Sequence, residues 1–147
     1  MSLTPIRGFT LIEMLAVIVL IAVAVTVTAV ALHGRTSRQL DTAAQRIAAG
    51  LRDTRTRAMA TSRPQWFVVD LRGHKFAAPG RDPRALPTDA TVQVTSAAED
   101  TTQPGVARIR YFPDGSSSGG RIVLGDAHRS VQVNVDWLTG AVTVEKP

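Results

Sequence analysis

Between Phe9 and Leu32 the chain reads FTLIEMLAVIVLIAVAVTVTAVAL, an apolar run with one carboxylate in it, Glu13. At ~1.5 Å of rise per residue, roughly two dozen residues make about 36 Å of helix, enough to cross a hydrocarbon core of about 30 Å. A carboxylate inside a spanning segment costs on the order of 2.5–3.5 kcal/mol, so Glu13 needs a reason to be there. A secretory signal peptide is one reading, with Arg7 as its charged start and Ala22-Val23-Ala24 as a small-residue cleavage site. The run continues well past that site, however, and Glu13 sits at its beginning. A plain membrane anchor with an incidental glutamate is a second reading.

The third reading rests on the string Arg7-Gly8-Phe9-Thr10-Leu11-Ile12-Glu13-Met14-Leu15. It resembles the signal of type IV pilins and pseudopilins. The resemblance implies that a prepilin peptidase cuts between Gly8 and Phe9 on the cytoplasmic face and N-methylates Phe9, removing residues 1–8 as a leader. It also implies that Glu13 offsets the free α-amine of a neighbouring subunit during assembly. A residue without a side chain, such as Gly8, lets a protease approach the backbone closely. A buried acid that finds its base only across a subunit boundary would set axial register.

The 147 residues carry a net charge of +5, and its placement matters more than its size. Beyond Pro64, nine Lys/Arg balance nine Asp/Glu. The excess lies between Arg35 and Arg63, where seven arginines meet only Asp41 and Asp53. A solvated helix face, or one near lipid headgroups, explains such a segment better than a nucleic-acid site does. The arginines after the apolar run outnumber Arg7 before it, which by charge bias alone would put the C-terminal side in the cytoplasm. The processing signal implies the opposite: a single pass through the bacterial inner membrane, N-terminus in the cytoplasm and C-terminal domain in the periplasm. With no cysteine, disulfides, thiolate metal sites and cysteine nucleophiles are excluded.

Past Leu32 the helical pattern resumes. Leu40, Ala44, Ile47, Leu51 and Ala58 form one apolar stripe with arginines on the other faces, up to Pro64. Residues 9–32 thus read as the spanning half of one helix and 33–63 as an amphipathic second half. Residues 64–147 read as a β domain. Strands are predicted at 65–71, 74–78, 91–95, 106–112, 121–124, 130–137 and 141–145, with a hairpin turn at Arg72-Gly73. Val131, Val133, Val135 and Trp137 alternate with polar residues and predict one buried face. Residues 79–90 and 96–105 read as loops. The fold class is therefore α+β: a long N-terminal helix packed on two small antiparallel sheets.

Two further stretches narrow the resemblance: Tyr111-Phe112-Pro113-Asp114-Gly115-Ser116-Ser117-Ser118-Gly119-Gly120 and Val135-Asp136-Trp137-Leu138-Thr139-Gly140-Ala141-Val142. With the N-terminal signal, they are similar to the H-type minor pseudopilins of type II secretion, although Ala141 stands where many relatives carry arginine. The resemblance implies a structural subunit, not an enzyme, near the tip of a periplasmic pseudopilus. There it links the other minor pseudopilins to the major shaft subunit and supports export of folded proteins across the outer membrane. Its implied partners are those subunits, the prepilin peptidase, an inner-membrane assembly platform and membrane lipid, with no nucleic acid and no cofactor. Retention of Glu13 argues against the outermost cap, which has no subunit ahead of it. The alternative is a minor pilin of a type IV pilus acting in pilus assembly or DNA uptake, for which Arg108, Arg110 and Arg121 would have to cluster.

Other chemistry finds little support. Ser116, Ser117 and Ser118 lack a nucleophile elbow, and His33, His74 and His128 are widely separated. Asp82, Asp89, Glu99 and Asp100 are too sparse for an EF-hand-like calcium loop.

Overall fold

The stripe Leu40, Ala44, Ile47, Leu51, Ala58 recurs every three to four residues, and only a helix puts those positions on one face. The computed structural model has that helix, α1, over Leu11–Thr61. The structure describes residues 10–96, 104–127 and 129–146; for 27–37 it describes the backbone path alone. The chain divides into two compact units, residues 1–36 and 37–147.

In the first unit, Thr10 caps α1. Its hydroxyl accepts the Glu13 amide at 3.3 Å, and its carbonyl accepts the amides of Glu13 and Met14. Thr10-x-x-Glu13 has the spacing of a capping box, and Glu13 lies in the first turn, where the helix dipole favours negative charge. The apolar side chains Leu11 to Val25 are exposed; Leu11, for instance, is 87% accessible.

The second unit forms around the rest of α1. Eight strands follow: β1 (Gln65–Asp70), β2 (Lys75–Ala77), β3 (Arg84–Ala85), β4 (Thr91–Ser96), β5 (Val106–Tyr111), β6 (Gly120–Gly125), β7 (Ser130–Val135) and β8 (Val142–Glu145). They make two antiparallel four-stranded sheets, ordered β3-β2-β1-β5 and β4-β6-β7-β8. All five stripe residues are fully or almost fully buried, against inward residues of both sheets such as Phe67, Ile109, Ile122, Leu124 and Val133. Each buried Leu, Ile or Phe contributes about 1.5–3 kcal/mol relative to exposure, so the stripe is what holds helix and sheets as one unit. Phe67 and Phe76 meet inside, with ring centroids 5.8 Å apart.

Four details differ from the sequence expectation. α1 stops at Thr61, before Pro64 can break it: Ser62 takes a left-handed φ of 50°, and the amides of Ser62 and Arg63 bond back to Met59 and Ala58. That is the Schellman closure, built here on serine. The stretch 79–90, read as loop, contains β3, held to β2 by two residue pairs and by the Leu86 amide on the His74 carbonyl. The strand predicted to reach Trp137 ends at Val135. Trp137 is therefore not on the buried face; it is 67% exposed.

Several arginines of α1 also serve the fold. Arg52 donates to the Val142 carbonyl at 3.1 Å and Arg55 to the Gly115 carbonyl at 2.9 Å. Asp41 accepts from Arg129 at 2.7 Å and pairs with Lys146 at 3.2 Å, tying the helix to the end of the chain. The arginine-rich segment is thus only partly a solvated face.

Candidate functional site

Gly8 and Phe9, the proposed cut, lie outside the described residues. Glu13 is described, exposed beside the Thr10 cap at the start of α1. Ile12, Leu15, Ala16, Val19, Leu20 and Val23 line a shallow apolar groove of about 400 Å³ on that segment. Among the described residues no helix is long and apolar enough to cross a membrane. The apolar stretch with described side chains, Leu11–Thr26, spans only about 24 Å of helix, less than a hydrocarbon core.

In the second unit, the two stretches singled out in the sequence, some twenty residues apart, meet. The Ser117 amide donates to the Trp137 carbonyl at 2.9 Å. Gly140 adopts φ 64°, and a Cβ there would overlap the Gly115 carbonyl oxygen, which Arg55 also holds. Each turn is internally braced. Asp136 Oδ1 accepts from the Leu138 amide, the Thr139 amide and the Thr139 hydroxyl at 3.1, 2.7 and 2.8 Å. Asp114 Oδ1 accepts from the Ser116 amide and hydroxyl at 3.0 and 2.6 Å. Beneath them lies Tyr111, fully buried, its hydroxyl without a partner. Burial pushes that hydroxyl well above the usual phenol range, against the pull of Arg55 and then Arg52. The assembly holds out an exposed apolar pair, Trp137 and Leu138, on a braced turn.

The serines are spent on this scaffold. Ser117 is buried and its Oγ accepts the Gly119 amide; Ser118 Oγ accepts the Arg110 amide. Of the loop acids, Glu99 and Asp100 lie outside the described residues, as does His128, and no group of three metal-binding side chains occurs among the described ones. Arg108 and Arg110 share the outward face of β5, whereas Arg121 projects from β6 in the other sheet. The three arginines are thus divided between the two sheets.

The braced carboxylates have a consequence in acid. The carboxyls of Asp136 and Asp114 are held below the usual range of 3.8, chiefly by hydrogen bonds from Thr139 and Ser116 respectively; that of Asp70 is lowered first by the Gly73 amide. A depressed folded pKa contributes stability that is complete above the unfolded value and lost as pH falls through the folded one. The melting temperature should be flat above about pH 5 and fall below about pH 4. Asp136→Asn should lower the plateau and make the acid fall shallower; circular dichroism melts from pH 2 to 7 would check both, and an unchanged acid limb would count against it.

A capped N-terminal helix whose second half packs on antiparallel sheets is the architecture of pilin-like subunits. Crystal structures of the type IV minor pilin FimU of Pseudomonas aeruginosa share it: one matches with a TM-score of 0.55 at 13% identity over 76% of this chain and 95% of that one. A second crystal form matches at 0.52, with 14% identity over 74% and 97%. Residues 43–139 match the family described as type II transport protein GspH, and residues 4–29 match the prokaryotic N-terminal methylation motif. Type II secretion system protein H of Xanthomonas campestris pv. campestris is 42% identical over 137 residues, covering 92% of this chain and 81% of that protein. The chain belongs to the GspH family, the minor pseudopilins of type II secretion.

Proposed function

We propose that this chain is a structural subunit of a type II secretion pseudopilus, placed near the tip between the tip complex and the shaft. In this reading Phe9–Leu32 crosses the inner membrane with the N-terminus in the cytoplasm and residues 64–147 in the periplasm. Prepilin peptidase cuts between Gly8 and Phe9 and methylates Phe9. Glu13 then meets the freed α-amine of a neighbouring subunit as the filament grows on its inner-membrane platform. The carrying observation is that one chain joins the methylation motif at residues 4–29 to a GspH-type domain at 43–139. The capped start of α1 supports the role of Glu13, since it leaves the carboxylate exposed at the first turn with no cation paired to it among the described residues.

Deleting the gene should abolish or sharply reduce export of folded proteins across the outer membrane, with a mature N-terminus at N-methyl-Phe9 in the wild-type protein by mass spectrometry. Intact export with lost twitching or transformation would transfer the chain to a type IV pilus, the role compatible with the FimU-like fold. A mature chain starting in the mid-twenties would overturn the processing reading.

A further inference from the structure

β8 is tied down differently from the strands beside it. It lies at the rim of the second sheet, four residues long, and pairs with β7 alone. β5, β6 and β7 each bury two or more apolar side chains. β8 buries none: Val142 and Val144 are half-buried against the core, and Thr143 and Glu145 face out. What ties it to α1 is polar. Arg52 donates to the Val142 carbonyl at 3.1 Å, at the start of the strand. Lys146, just past its end, pairs with Asp41 at 3.2 Å. The other oxygen of Asp41 accepts from Arg129 at 2.7 Å, which anchors that acid to the turn between β6 and β7. The base of the strand is fixed separately. The Asp136 amide donates to the Ala141 carbonyl at 3.0 Å and the Gly140 amide to the Asp136 carbonyl at 2.9 Å, closing the turn before β8 begins.

A segment with few buried apolar contacts opens at a free energy well below that of the whole domain. Exposed charged ties add little each, and salt screens them. β8 therefore combines a fixed hinge, a thin apolar hold and a charged tie at each end. We propose that β8 is a releasable strap: it leaves β7 and swings about Ala141 while the rest of residues 37–147 stays folded, and Arg52 and the Asp41–Lys146 pair set how often it does so. Release moves the rim of the sheet to β7, whose outer amides and carbonyls then lack partners until the strap returns or another extended chain pairs with them. The device does not depend on where the subunit sits in a filament.

The test is hydrogen exchange of the full chain in neutral detergent, read by mass spectrometry on peptides covering β8, β6 and β1. β6 and β1 are interior strands of the two sheets and serve as references. The β8 amides should exchange about tenfold faster or more than either reference, and respond less to urea because their opening exposes less surface. Arg52→Met and Lys146→Gln should each speed β8 exchange about fivefold and together about thirtyfold, since ties at opposite ends of the strand add, with β6 unchanged. Added salt should speed β8 in the unmodified chain and leave the double variant nearly as it was. If β8 and β6 exchange at one rate with one urea slope, β8 opens only when the domain unfolds, and the proposal is overturned. It is equally overturned if the double variant keeps its melting temperature and its β8 exchanges no faster. The salt arm needs no variant: an unmodified β8 indifferent to salt removes the role of the charged ties.

Discussion

Glu13→Gln is expected to leave membrane insertion and trimming after Gly8 intact while lowering entry of the subunit into the filament by roughly 100- to 4,000-fold. The magnitude comes from removing one partner of a desolvated charge pair, which costs about 3–5 kcal/mol because the other charge is left buried alone. Glutamine is the informative substitution. Thr10 and Glu13 stand at capping-box spacing, and glutamine serves the third position of such a box as glutamate does, so helix initiation is retained and the charge alone is lost. Glu13→Ala removes both and should add at most a modest loss of helix stability. Co-isolation of the variant with co-expressed pseudopilins, measured against membrane abundance and N-terminal mass, separates the cases. If Glu13→Gln co-assembles normally and only Glu13→Ala fails, the residue caps the helix and pairs with nothing.

The same residues show where the sequence was readable. The stripe from Leu40 to Ala58 and the alternation in β7 report burial directly, because apolar side chains at helical or strand spacing have one stable place to go. Both sheets followed from that. β3 was not legible: two residues, Arg84 and Ala85, carry no periodicity, and what makes them a strand is a carbonyl of His74 ten residues earlier. Trp137 misled because its spacing continued the β7 alternation; the Asp136 side chain, by accepting three local donors, turned the chain out of the sheet first. Local side-chain hydrogen bonds compete with a ladder, and here they won. The two turns were visible as motifs, but their contact was not, since it rests on partners far apart in sequence: the Ser117 amide on the Trp137 carbonyl, and Arg55 on a carbonyl sixty residues away. The arginine count likewise could not separate side chains that brace loops, Arg52 and Arg55, from those that face water.

That contact carries the second large effect. Gly140→Ala should destabilise the domain by about 3 kcal/mol, lowering its melting temperature by roughly 10–15 °C for a unit of this size. Two costs add. Gly140 sits at φ 64°, where a Cβ strains the backbone. The added carbon would also overlap the Gly115 carbonyl oxygen, and it meets Arg55 Nε at 3.0 Å and Tyr111 Cε1 at 3.2 Å. The carbonyl belongs to the backbone of the facing turn, so it can retreat only by giving up its hydrogen bond from Arg55. Gly80→Ala is the control, with a nearly identical φ of 63° but only the flexible tip of Arg57 nearby, at 3.2 Å. It should cost about 1 kcal/mol, the backbone penalty alone. Thermal melts of the two variants side by side measure the difference as the contribution of the turn-to-turn contact. Should both melt alike, the two turns do not lean on each other, and the exposed Trp137–Leu138 pair loses the brace that holds it out.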